Sequence, residues 1–88
     1  MIKEIEILVC VNLAHCHNKL TNYHFAIKFA TQALEKEPNN KKALYRLGVA
    51  YTSINELERA RDALNKIVEM GDGDQGMKNS ALQALQDI

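Results

Sequence analysis

The sequence predicts an all-α fold, an α-solenoid of two helix pairs with a C-terminal capping helix. Three observations predict it. Helix breakers are scarce: the 88 residues hold one proline and four glycines, and three of those glycines fall in "GDGDQG" near the carboxyl end. Between the breaks, apolar residues recur at helical spacing. The order of helices and breaks then repeats after roughly 34 residues, a period that marks stacked supersecondary units.

The elements follow in order. Residues 2–19 form a first helix, with Ile5, Ile7, Leu8, Val9, Val11, Leu13 and Ala14 spread around much of its circumference. A helix apolar on several sides packs against neighbours on several sides. "LTNYHF" is a break in which Thr21 or Asn22 caps the next helix. Residues 23–36 form that helix, with Phe25, Ala26, Phe29, Ala30, Ala33 and Leu34 inward. Pro38, Asn39 and Asn40 close it and cap a third helix over 41–53. Asn55, with Glu58 three residues on, reads as a capping box for a fourth helix. That helix runs to about Met70, ending near Gly71 and Gly73. A fifth, weakly amphipathic segment over about 75–87 carries Met77, Ala81, Leu82 and Leu85.

Bulk properties narrow the function. The formal net charge is zero, so no global field favours nucleic acid or a membrane surface. Two cysteines, Cys10 and Cys16, make no disulfide framework and fit a reducing compartment. The longest apolar run, Ile7 to Val11, is far too short to span a bilayer. The charged start "MIKEIE" leads straight into helical sequence and does not read as a signal peptide.

Shifting the chain by one repeat places Leu13 on Leu47, Ala14 on Gly48, His17 on Tyr51 and Ala26 on Ala60. The later copy reads Leu44, Leu47, Gly48, Tyr51, Ala60, Leu64; the earlier reads Cys10, Leu13, Ala14, His17, Ala26, Ala30, Pro38. Small side chains at Ala14, Gly48, Ala26 and Ala60 suit positions where paired helices approach closely. This register resembles the tetratricopeptide repeat across nearly the whole chain. His17 stands where the repeat has an aromatic, Ala30 and Leu64 where it has phenylalanine, and Asp72 where it has proline. The resemblance divides the chain into the end of a truncated upstream repeat (1–6), a first repeat (7–40), a second repeat (41–73) and a capping helix (74–88). Solenoids of this kind need about three repeats for stability. The chain therefore reads as part of a longer array, with an exposed apolar amino-terminal face and self-association through it.

In such solenoids the first helix of each pair lines a concave groove. With Leu44, Leu47, Gly48 and Tyr51 facing the partner helix, Lys42, Tyr45, Arg46, Val49 and Ser53 point the other way. One repeat earlier the same positions are Leu8, Val11, Asn12, His15 and Lys19. Asn12 lies in "ILVCVNLAHC", where a buried amide costs free energy unless it is paired. On its own, the Lys42–Arg46 pair is an ordinary solvated helix edge. With Asn12 across the groove it resembles the carboxylate clamp of co-chaperone tetratricopeptide domains, and "NLAHC" and "KALYR" carry that likeness.

The resemblance implies a target and a parent. The target is the free C-terminal peptide, ending Glu-Glu-Val-Asp, of a cytosolic heat-shock chaperone. Asn12, Lys42 and Arg46 would bind its carboxylates, and Leu8, Val11, His15, Tyr45 and Val49 would be further groove contacts. Five polar groups usually build the clamp; the other two belong to the preceding repeat. The likeness is to immunophilins of the FK506-binding class, which usually carry a peptidyl-prolyl isomerase domain upstream. It implies a cytoplasmic, non-enzymatic binding module with no cofactor, no nucleic acid and no membrane partner. The alternative is a generic repeat scaffold that docks a partner protein without a clamp.

Other chemistry finds little support in the residues. His15, His17, His24 and the cysteines show no recognised ligand spacing, and a closed zinc site needs four donors. Cys10 and His17 occupy repeat core positions, and no third group orients a base for thiol chemistry. "GDGDQG" lacks the ligand pattern and closing glutamate of a calcium loop and reads as a turn.

Overall fold

The computed structural model describes residues 2–70 and 75–87. These form five helices: α1 (Ile2–Lys19), α2 (Tyr23–Lys36), α3 (Lys41–Ser53), α4 (Leu57–Met70) and α5 (Gln75–Gln86). The first three have the bounds expected from the sequence. The glycines expected to end α4, Gly71 and Gly73, and the "GDGD" part of the turn lie outside the described residues.

Helix α1 packs on α2, and α3 packs on α4, as antiparallel pairs. Contacts of α2 with α3 and of α4 with α5 stack the pairs, while α1 touches α3 and α3 touches α5. Helices α1, α3 and α5 therefore form one layer, and α2 and α4 the other. The shortest principal dimension, 18 Å, matches two helix diameters of about 10 Å each.

Two apolar clusters hold the layers together. Ile7, Cys10 and Val11 of α1 meet Ala33 and Ala43. Leu44 of α3 meets Ala63, Leu64, Ile67 and Ala81. Leu34 packs against both clusters and joins them. Ala14, Ala26 and Ala60, the expected small positions, are fully buried. Gly48 is small for a definable reason: a Cβ added there would lie 2.8 Å from both Cγ and Cδ2 of the buried Leu64. In the first repeat the same two positions are Ala14 and Ala30, both buried. One repeat thus pairs alanine with alanine and the other pairs glycine with leucine.

The turn within each pair repeats in atomic detail. Thr21 and Asn55, one repeat apart, have positive φ of 63° and 67°. The N–H of Asn22 donates to the His17 carbonyl and that of Glu56 to the Tyr51 carbonyl, each at 2.8 Å. Thr21 donates to Asn18, and Asn55 to Thr52, each at 3.1 Å. This is the Schellman arrangement that satisfies the last carbonyls of α1 and α3. Asn55 is therefore a C-terminal residue of α3, and the expected capping box at Asn55 and Glu58 does not form; α4 begins at Leu57, directly after Glu56. Asn22 does sit at the N-cap of α2 but makes no side-chain cap bond. Asn40 caps α3 as expected, accepting from the Ala43 N–H at 2.9 Å.

One side chain differs from its expected place. Phe25, expected inward, is 54% exposed. It stacks on the His17 ring, with centroids 5.3 Å apart, while Phe29 stacks on the same ring at 5.5 Å. One repeat on, Tyr51 replaces His17 and Arg59 replaces Phe25; the Arg59 guanidinium sits 5.9 Å from the Tyr51 ring centre.

Candidate peptide-binding groove

The layer of α1, α3 and α5 carries the candidate site. Lys42 and Arg46 project from α3 one turn apart, because positions i and i+4 share a helix face. Lys42 is exposed and shares a depression of about 270 Å³ with Leu8 and Val11 of α1. Val11 is its floor rather than its wall, being only 5% exposed, whereas Leu8 is 56% exposed. Glu4 and Glu37 also line this depression, so Lys42 meets negative charge at its rim.

Arg46 is half-buried and is tied to α1 through its backbone: the Asn18 Nδ2 donates to the Arg46 carbonyl at 3.1 Å. Its guanidinium lies 5.5 Å from the Tyr45 ring centre. Across the groove it acts on His15. The Arg46 charge, with lesser contributions from burial and from Lys19, holds the His15 imidazole below its ordinary pKa. Among the described residues, no carboxylate forms an ion pair with Lys42 or Arg46.

Asn12 is exposed and makes no hydrogen bond among the described residues. Leu8 and Val9, on the same side of α1, are exposed too, so the Asn12 amide is solvated. Tyr45 and Val49 face α5 instead of α1. With Asn79, Ser80, Gln83 and Ala84 they line a second depression of about 480 Å³. The predicted groove residues are thus divided: Leu8, Val11 and Lys42 together, His15 beside Arg46, and Tyr45 and Val49 toward the capping helix.

Sequence reasoning passed over Asn18 and the α5 side chains. Asn18 stands two turns after Val11, on the same side of α1, and that spacing could have marked it.

Cys10 is buried, its thiol 3.7 Å from Gln32 Oε1, and Cys16 is exposed. Among the described residues no three His, Cys, Asp or Glu side chains converge to hold a metal ion. None of their helices is long and apolar enough to cross a membrane.

A family model described as tetratricopeptide repeat matches residues 19–86. The chain belongs to the tetratricopeptide-repeat family. Repeats of this family are non-catalytic protein-interaction modules, and the two-layer stack described above is their fold. The chain is 31% identical over 87 residues to FK506-binding protein 59 of Drosophila melanogaster, covering 99% of itself and 20% of that protein. It is 35% identical over 78 residues to human peptidyl-prolyl cis-trans isomerase FKBP4, covering 89% of itself and 17% of that protein. It thus spans a fifth or less of these curated relatives. Among solved structures it is similar to the C-terminal TPR-containing domain of a Plasmodium falciparum FK506-binding protein. There the TM-score is 0.81 at 38% identity, over 97% of this chain and 56% of that one.

Proposed function

We propose that this tetratricopeptide domain binds the free carboxyl end of a cytosolic heat-shock chaperone of the Glu-Glu-Val-Asp type, as part of an immunophilin-type co-chaperone. Lys42 and Arg46 bind the terminal carboxylates and Asn12 hydrogen-bonds the same group. The observation that carries this reading is the Lys42–Arg46 pair beside α1, with which no carboxylate among the described residues forms an ion pair. Lys42 abuts Leu8 and Val11, and the Arg46 charge reaches His15. Charge-assisted hydrogen bonds to a carboxylate contribute about 1.5–3 kcal/mol each. The acids at the Lys42 rim favour a peptide whose carboxylates lie on the Arg46 side. The similarity to FK506-binding proteins supports the parentage, and the isomerase activity named for the human relative belongs to this protein's parent only as part of the proposal.

The test is the pair of variants Lys42→Ala and Arg46→Ala in a titration with a Glu-Glu-Val-Asp peptide. Each weakens binding roughly tenfold or more. Unchanged affinity in both would return the groove to the second reading, a scaffold docking a partner without a clamp. That reading has its own support in the exposed Ile5, Leu8 and Val9 of α1, an apolar face suited to a partner protein or a second copy of this chain.

A further inference from the structure

Two buried side-chain polar atoms lack a hydrogen-bond partner among the described residues: the Asn18 carbonyl oxygen Oδ1 and the Arg46 nitrogen Nε. One is an acceptor and the other a donor. They belong to two residues already joined by the 3.1 Å bond from Asn18 Nδ2 to the Arg46 carbonyl. A buried unpaired donor and a buried unpaired acceptor each cost free energy; the two make no direct bond, and one water bridging them removes the cost. The Asn18 amide then serves Arg46 at both ends, main chain and side chain.

We propose that Asn18 is a positioning residue for Arg46. Its Nδ2 fixes the register of α3 against α1, and its Oδ1 takes the Nε–H of the guanidinium through one bridging water. An arginine has five N–H donors in a planar fork. With Nε–H engaged inward, the guanidinium plane is set, and the two terminal nitrogens keep a fixed edge for a carboxylate. Arg46 is then pre-organised, and a ligand does not have to order a free side chain. The ligand part of this inference rests on the carboxylate reading above; the positioning part does not.

The experiment is nuclear magnetic resonance of the Arg46 side chain in the 88-residue chain, followed by peptide titration. The expected result is an Arg46 Nε–H that exchanges with solvent at least tenfold more slowly than those of the exposed Arg59 and Arg61. Asn18→Leu abolishes that protection. Asn18→Asp, which keeps an acceptor and loses the donor, retains it. An Arg46 Nε–H that exchanges in the wild-type chain as fast as those of Arg59 and Arg61 overturns the proposal without any variant having to fold. With a free-carboxyl peptide, Asn18→Leu lowers affinity about tenfold in the wild-type background and leaves it unchanged in Arg46→Ala. Equal losses in both backgrounds also overturn it. Protection of Nε–H without any peptide binding supports the positioning role and removes the carboxylate reading instead.

Discussion

Gly48 and Leu64 occupy one space. A methyl group on Gly48 would sit 2.8 Å from two carbons of a leucine that has no exposed surface. The first repeat has Ala14 and Ala30 at the equivalent positions, both buried, so the two repeats divide the space between the helices differently.

The first prediction follows. Alanine in mid-helix usually stabilises over glycine by about 1 kcal/mol, but overpacking a filled core costs about 1–3 kcal/mol. Because Leu64 has nowhere to move, Gly48→Ala destabilises the fold. Leu64→Ala alone costs about 2–5 kcal/mol. In the double variant, which copies the first repeat, the total loss is smaller than the sum by at least about 1 kcal/mol. Urea denaturation of the four chains measures this; strict additivity would mean the two side chains do not share the space.

The turns give a second prediction. Thr21 is β-branched and held at a φ of 63°, a conformation that favours glycine. Thr21→Gly stabilises by about 0.5–1 kcal/mol after glycine's larger unfolded-state entropy is subtracted. Asn55→Gly gains less, because asparagine tolerates this region. Thermal melts that rank Asn55→Gly above Thr21→Gly would contradict the shared Schellman geometry.

Much of this architecture is legible in the sequence, for reasons that can be named. Asn40 and Pro38 punctuate the boundary of α2 and α3 unambiguously, and the recurrence of Ala14, Gly48, Ala26 and Ala60 reports close helix approach. Asn55 misleads because asparagine suits both an N-cap and a left-handed C-terminal position, and Glu58 completes the false pattern. Phe25 has the spacing of a core residue, yet spacing does not reveal where the neighbouring helix stops covering it. Lys42 and Arg46 were legible as a pair through the repeat register. The spacing of Asn18 from Val11 puts it on the same side of α1, but its bond is not legible, because the partner is a backbone carbonyl, which any residue at position 46 would present. Asn12, placed on the groove face by the repeat register, is solvated despite its apolar neighbours along the chain.

His15 supplies a pH dependence. Its pKa in the folded chain lies below the ordinary 6.5, with Arg46 the main cause. The unfolded chain therefore takes up a proton first as pH falls. The stability associated with neutral His15 is complete above pH 6.5 and is lost as pH falls from 6.5 through the lower folded value. A bound carboxylate beside Arg46 offsets that repulsion and raises the His15 pKa, so peptide affinity increases as pH falls through the interval between the bound and the free His15 values while the carboxylates remain ionised. Titration of the His15 ring by nuclear magnetic resonance, with and without peptide, checks both directions. A His15 pKa unmoved or lowered by saturating peptide would place the ligand elsewhere.

The exposed face of α1 predicts self-association. Ile5 is 61% exposed, and Val9, one turn on, shares its side. Sedimentation equilibrium is expected to show association that Ile5→Glu or Val9→Glu reduces. A wild-type chain that stays monomeric at high concentration would contradict this.

The central claim is that the groove recognises a terminal carboxylate through fixed cations. It is tested most directly by calorimetric titration of two Glu-Glu-Val-Asp peptides, one with a free carboxyl terminus and one amidated, at low and high salt. The account predicts binding of the free acid that weakens as salt is raised, and at least about tenfold weaker binding of the amide. Equal affinity for the two peptides would contradict it.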